Sequence, residues 1–388
     1  MNEIHLRDRQ QSRLLEDEHA NLPGSNSNSP DSGKLDEKDQ DERVKFTWGQ
    51  WIVERFNFSY FTCTQSTGGL ALALSECPKQ FSGLQTIGVI VFILNLVLFS
   101  LFCTLMLLRW TINPSSYKKS LTTVPECFFY GAFWLTIATI ILGINRYGVP
   151  KCGPWLIVAV RVLFWIYAAA TLLSTCIHII LVYKDTPIRS IHMNPAWLLL
   201  IFPAMLTGTI ASGISEYQPP AQRLPIIVAG VAYQGLGWIG SILMLPWMIG
   251  TLMQTGWPEP NAAPGLFMAV GPGGFTTVAL IGAATYTPVG YAYFATHPLA
   301  HEILLVVATW VGIFLWVFSF WLFGIALFIT LGSLRTKEDG VTKYPMTWSN
   351  TMWGESFPFQ LPITRIEDLE LFRKSENACV IRSQAVYH

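Results

Sequence analysis

Eight apolar stretches are strung along this chain, at 58–76, 86–108, 126–145, 155–183, 195–215, 225–252, 266–285 and 302–333. A bilayer's hydrocarbon core, about 30 Å thick, takes about 20 helical residues to cross, so each stretch is long enough to span. The connections are short and hold the helix breakers Pro78, Pro114, Pro150, Pro187, Pro219, Pro220, Pro258 and Pro298, which stop each helix and turn the chain back. The 25 basic and 25 acidic residues are spread unevenly: 20 fall in 1–56, 14 in 334–388 and only 16 in 59–333. Lipid is therefore the solvent of the middle. The expected fold is an all-α integral membrane domain over 58–333, about eight transmembrane helices arranged as four hairpins.

The flanks differ from this core. Residues 1–45 mix Asn, Ser, Gly, Pro and opposite charges with few large apolar side chains, too little burial to offset ordering entropy, and are expected to form a disordered cytosolic tail. Residues 46–57 place Trp48, Trp51 and Phe56 just before the first span, as an interfacial lead-in helix does. The start of the chain lacks the apolar region of a secretory signal, so the first span is expected to target it to the membrane. Residues 334–388 read as an atypical cytosolic tail.

Orientation follows from Lys and Arg in the short loops. With the N-terminus inside, the inner flanks hold Arg43, Lys45, Arg55, Arg109, Lys118, Lys119, Lys184, Arg189, Arg335, Lys337 and Lys343, and the outer loops only Lys79, Arg146, Lys151 and Arg223. Both termini are therefore expected in the cytosol.

Several function classes are excluded. Zero net charge and the absence of a basic stripe argue against nucleic acid as a partner. The seven cysteines stand singly, without CxxC or metal spacing, and read as packing residues, with a Cys77–Cys152 bridge across outer loops as the alternative. No metal or other cofactor is expected. Neither HExxH, G-x-S-x-G nor a phosphate-cradling loop is present, because GPGGFT lacks the lysine such a loop needs; an enzyme is not expected. Asn145-Arg146-Tyr147 imitates a receptor triplet, but the charge count puts it on the outer side.

The spans alternate in kind. Odd ones carry small and polar clusters: Thr64-Gln65-Ser66-Thr67-Gly68-Gly69 in the first, Pro203 with Thr207-Gly208-Thr209 in the fifth, and Gly271-Pro272-Gly273-Gly274-Phe275-Thr276 in the seventh, with Gly131, Thr136, Thr139 and Gly143 a milder set in the third. The second, fourth and eighth are mostly aliphatic and aromatic, and the sixth is mixed, with Gln234-Gly235-Leu236-Gly237. Irregular backbone at membrane depth is tolerated only inside protein or against a watery cavity. The odd spans are thus expected inside, loosened at these clusters and lining a central path, with the even spans facing lipid. The alternative is that Gly and Thr merely permit close helix packing. A path of hydroxyls, glycines and broken-helix N-termini without carboxylates suits an anion. Arg161, on the fourth span, could attract one; His178, deep in the same span, reads as a neutral core histidine.

The runs STGGLALAL (66–74), NRYGVPKCGPW (145–155), RVLFW (161–165), NPAWLLLIFPAMLTGTIAS (194–212), LPIIVAGVAYQGLGW (224–238), LMQTGWPEPNAAPGLFMAVGPGGFT (252–276) and MTW (346–348) resemble the fungal malic-acid/C4-dicarboxylate branch of the tellurite-resistance/dicarboxylate transporter family, which also holds plant slow-type anion channels and sulfite efflux pumps. The resemblance, over about 46–348, implies ten helices in five hairpins with the odd helices forming an anion pore. It makes Ser66, Thr67, Gly68, Gly69, Pro203, Thr207, Gly208, Gly271, Pro272, Phe275 and Thr276 the candidate path residues. After Trp348 the chain departs from the family's pattern: the tail lacks the length and apolarity of a ninth and tenth helix, although Phe357-Pro358 echoes the family's Phe-Pro gate. One wall of the pore is then expected to stay open or be filled by lipid, a partner or the tail. The function implied is transport of small carboxylates such as malate at the plasma membrane, with a homotrimer as the family's assembly; sulfite efflux and a truncated, non-transporting membrane protein are the alternatives.

Overall fold

The computed structural model describes residues 48–77, 80–185, 195–334, 336–338, 341–343, 346 and 350–352, all within one compact unit, Trp48–His388. The expectations for residues 1–45 and for the tail beyond Met352 fall outside the described residues. The lead-in forms a helix, Trp48–Arg55, packed on the second span.

All eight spans are helical, and two designs alternate. The even spans are unbroken α-helices, Leu84–Ile112, Pro154–Asp185, Pro220–Thr255 and Ala300–Ser333. Each odd span opens with a 3₁₀ turn before its α-helix: Phe58–Tyr60 before Phe61–Glu76, Glu126–Phe129 before Tyr130–Gly143, Pro195–Leu200 before Phe202–Ile214, and Ala263–Val270 before Gly271–Thr285. Local chemistry sets these junctions. Asn57 Oδ1 accepts from the Ser59 N–H at 2.9 Å and caps the first. Pro203 and Pro272 stand in the first turn of their α-helices, where a missing N–H costs nothing and the fixed φ suits the helix.

Among the described residues, six helices are long and apolar enough on their own to cross a membrane. The first span falls outside that set because its Ser, Thr, Gln and Gly residues lower its mean hydropathy, and the fifth because Ile201 divides it into two shorter helices. Added end to end, at about 2.0 Å per 3₁₀ residue and 1.5 Å per α residue, each still reaches about 30 Å or more.

Burial follows the alternation. In the most apolar window of the seventh span 94% of residues are buried, and in the third 61%, against 17%, 28%, 33% and 28% in the four even spans. The inner spans touch in chain order, first to third to fifth to seventh, and each even span packs on the odd span of its own hairpin or on the next one. One expectation is corrected. The cluster at 64–69 does not loosen the first span, because Phe61–Glu76 runs through it as continuous α-helix and the break lies at Tyr60. Gly68 lies against Asn95 and Thr139, so the cluster's small size serves helix contact at that point. The third span carries a further irregularity, a π turn at Ile144–Gly148.

At one end of the bundle the four 3₁₀ turns touch one another in order, and a fifth, Asn350–Met352, touches both the first and the last. Thr62 Oγ1 donates to the Asn350 carbonyl at 2.8 Å, and Asn350 Nδ2 donates to Ser59 Oγ at 3.0 Å. The start of the tail thus occupies the gap between the first and seventh spans at this end. It is reached through a two-stranded hairpin, Thr336–Glu338 with Val341–Lys343.

The same end holds a largely buried ion pair, with Arg109 buried and Glu126 half-buried. Arg109 Nη1 lies 2.5 Å from Glu126 Oε1, and Nη2 lies 3.3 Å from Oε2. The guanidinium also donates to Ser120 Oγ at 2.7 Å and to the Val53 carbonyl at 3.2 Å, tying the lead-in helix to the second and third spans. Removing one partner of such a pair strands the other charge. Arg109→Met is expected to cost about 3–5 kcal/mol, read as loss of the monodisperse peak and a lower melting temperature in detergent, whereas Arg55→Met, an exposed cation on the lead-in, leaves both unchanged.

Candidate anion pathway

The candidate path residues come together on the inner spans but divide by what they face. On the first span Ser66, Gly68 and Gly69 are buried and Thr67 is half-buried. Thr67 belongs to a stripe, Cys63, Thr67, Leu70 and Leu74, that follows helical spacing and is the open side of this helix. Its hydroxyl donates back to the Cys63 carbonyl at 2.9 Å, leaving oxygen lone pairs on that face. A Cβ on Gly68 would strike Thr139 Oγ1 and come within 2.7 Å of Asn95 Nδ2, so Gly68 is where the second and third spans approach the first.

On the fifth span Pro203 and Thr207 are buried under the fourth. Tyr167 Oη donates to the Pro203 carbonyl at 3.0 Å, and Thr207 Oγ1 lies 3.5 Å from Thr171 Oγ1. A Cβ on Gly208 would meet the Gln234 side chain and the Gly230 carbonyl at 2.7 Å. On the seventh span Phe275 is 1% exposed and sets its ring edge-on to Phe202, centroids 6.0 Å apart. Gly271 lies against the same two rings. Thr276 Oγ1 donates to the Pro272 carbonyl at 2.6 Å, closing the first turn of the helix. Gly273 abuts Ser319 of the eighth span.

Gly68, Gly208 and Gly273 therefore act as contact points for neighbouring helices, which is the packing role weighed from sequence. Threonine hydroxyls line the inner helices beside them: Thr64 and Thr136 bond each other at 2.9 Å, and Thr139, Thr207, Thr209, Thr276 and Thr277 are buried. Carboxylates on the described inner spans stand only at the ends, Glu76, Glu126 and Glu216. Arg161 is half-buried on the fourth span, an outer helix, and no hydrogen bond joins it to an inner span among the described residues. His178 is buried with its ring edge-on to Tyr130, centroids 4.9 Å apart.

At the end opposite the 3₁₀ turns, Asn145-Arg146-Tyr147 fastens the inner spans. Tyr147 Oη donates to the Ala71 carbonyl at 2.5 Å, Asn145 Nδ2 to the Gly213 carbonyl at 3.0 Å and Arg146 Nη2 to the Ser75 carbonyl at 3.4 Å. Cys152 is a free thiol, so the bridge between Cys77 and Cys152 is absent.

Hydroxyl-lined inner helices, opened by proline- and glycine-bearing junctions and wrapped by apolar outer ones, set what the chain is compared with. Residues 55–364 match the family described as SLAC1, voltage-dependent anion channel. The chain belongs to this family. It is a multi-pass membrane protein and an anion transporter of the SLAC1 family, whose members are transporters and channels rather than enzymes. The match runs past Trp348 to residue 364 and takes in Phe357-Pro358. The chain is 33% identical over 296 residues to a malic acid transport protein of Schizosaccharomyces pombe, covering 76% of this chain and 67% of that one. A second, putative malic acid transport protein of the same organism is 29% identical over 76% of the chain and 68% of its own length. The sulfite efflux pump SSU1 of Arthroderma benhamiae is 31% identical over 168 residues, 43% of this chain and 44% of that one.

Sequence reasoning missed the polar side chains that outer helices send inward. Asn95 hides within the aliphatic run VFILNLVLF, and Tyr167 and Thr171 sit in comparable apolar surroundings, whereas Gln234 stood out in the mixed sixth span without its inward role being legible. The available signal was the lone amide in an apolar helix, a costly group that faces a bundle interior. The two kinds of small residue are separable by experiment. Gly68→Val is expected to destabilise the detergent-solubilised protein by about 1–3 kcal/mol through overpacking, whereas Thr67→Val, on the open stripe, leaves the melting temperature unchanged and alters transport instead.

Proposed function

We propose that this SLAC1-family protein moves small organic anions, malate and related C4-dicarboxylates first, along the inner spans. The observation that carries the substrate class is likeness to a malic acid transport protein over 76% of the chain, against 43% for the sulfite pump. The chemistry of the inner spans agrees with it. Backbone N–H groups at the 3₁₀-to-α junctions offer donors to an anion without an opposing carboxylate at mid-depth, and the threonine hydroxyls beside them can turn to it by giving up their bonds to backbone carbonyls. Ser66, Thr67, Pro203, Thr207, Gly271, Pro272, Phe275 and Thr276 are the proposed path residues, as backbone turns, hydroxyl donors and a ring that narrows the passage, with Gly68, Gly69 and Gly208 making room for them. Arg161 is proposed only as a distant attracting charge. The plasma membrane, cytosolic termini and a homotrimer complete the reading.

Sulfite is the second substrate to test, since the sulfite pumps share the same family. In cells lacking their own dicarboxylate uptake, expression is expected to raise uptake of labelled malate above the empty vector, with succinate and fumarate competing and sulfite competing more weakly. Verified surface protein without malate uptake sinks the dicarboxylate reading, and sulfite tolerance gained in the same cells moves the assignment to sulfite.

Orientation has its own test. Cys152, exposed and free between the third and fourth spans, is expected to react with a membrane-impermeant maleimide applied to intact cells. Labelling only after permeabilisation would reverse the topology.

A further inference from the structure

Each outer helix sends a polar side chain inward, toward the inner span of its own hairpin and the next one. Two of these sites repeat the same three parts. In the first hairpin Gly68 of the first span leaves room for Asn95 of the second, beside Thr139 of the third. In the third hairpin Gly208 of the fifth span leaves room for Gln234 of the sixth, beside Thr276 of the seventh. In the second, Tyr167 and Thr171 of the fourth span take the equivalent place, Tyr167 Oη donating to the Pro203 carbonyl and lying 3.3 Å from that of Trp134. In the fourth, Ser319 meets Gly273, and its hydroxyl has no hydrogen-bond partner among the described residues.

Gln234 is the most fully bonded of the amides. It is 1% exposed, and the group facing the Met205 carbonyl has to be its NH2, since two carbonyl oxygens at that distance repel. So oriented, Nε2 donates to the Met205 carbonyl at 2.9 Å, and Oε1 accepts from the backbone N–H of Thr276 at 3.2 Å, with Thr276 Oγ1 2.9 Å away. One side chain from a lipid-facing helix thus links the fifth span, two residues after Pro203, to the seventh, four residues after Pro272. Those are the two inner spans whose prolines open the α-helix.

We propose that Gln234 is a positioning residue for anion passage: it holds the start of the seventh helix at a fixed spacing and rotation against the fifth, and through that spacing sets which anions pass. This rests on reading the inner spans as the anion's path. The physical reason is that an amide in an apolar interior is costly to leave unbonded. Its two bonds therefore resist any relative sliding of the two spans that would break them. Hydrophobic contacts alone do not fix a register in this way, because the lipid-facing surroundings are as apolar as the contacts.

The test uses the full-length protein in detergent and in cells. Gln234→Leu keeps the bulk and removes both bonds; if it fails to fold, Gln234→Met, closer in shape, takes its place. By hydrogen exchange, peptides covering 271–278 are expected to exchange faster than in wild type, while those of the second span do not change. In uptake assays at matched surface protein, apparent KM for malate is expected to shift by about threefold or more, and the malate-to-sulfite ratio with it, rather than Vmax alone falling. Exchange at 271–278 equal to wild type overturns the inference, and so does faster exchange with KM and the anion ratio unaltered. A wild-type protein that moves neither anion sinks the transport reading, and the exchange comparison then decides alone whether Gln234 holds the two spans together.

Discussion

The need to satisfy every backbone N–H and C=O away from water governs this molecule. In hydrocarbon a peptide group without a partner is too costly to face lipid, so irregular backbone has to be wrapped in protein. The odd spans each contain a 3₁₀-to-α junction, and the even spans contain none. Sorting by that criterion alone puts the first, third, fifth and seventh spans inside and the long apolar helices around them. Burial and the hydroxyl content of the inner helices follow from the same partition, although the sixth span carries Pro225 and Pro246 inside its unbroken helix.

The small residues then take on two duties. Gly68, Gly208 and Gly273 have no room for a side chain because a neighbouring helix fills it, whereas Thr67 lies on the open face of the first span. A Gly- and Thr-rich run therefore builds a contact and a lining within one helical turn, the direction of each side chain deciding which. The amides Asn95 and Gln234 belong to the first duty, since the room they occupy is the room the glycines leave.

The spans, their pairing and the inner-outer alternation were legible in sequence, because length, apolarity and proline punctuation are local properties. The position of the junctions was legible where a proline marks it, at Pro203 and Pro272. It was not legible in the first span, where Asn57 makes the cap and the conspicuous Thr-Gly cluster lies within regular helix. The inward polar side chains were lost against aliphatic neighbours, since periodicity over an apolar run does not say which residue points in. The role of Asn350 was beyond reach for a different reason: its partners, Ser59 and Thr62, are local to it only once the bundle has formed.

That last contact has a consequence for assembly. The bonds from Asn350 to Ser59 and Thr62 join residues 291 and 288 positions apart in the chain, so they cannot form until all eight spans have been synthesised and inserted. Hairpins made earlier have to wait in the bilayer with the flank of the first span uncovered. Closure of the ring at this end is thus a strongly non-local step, and the turn that opens the first span is completed by a residue that emerges from the ribosome long after it.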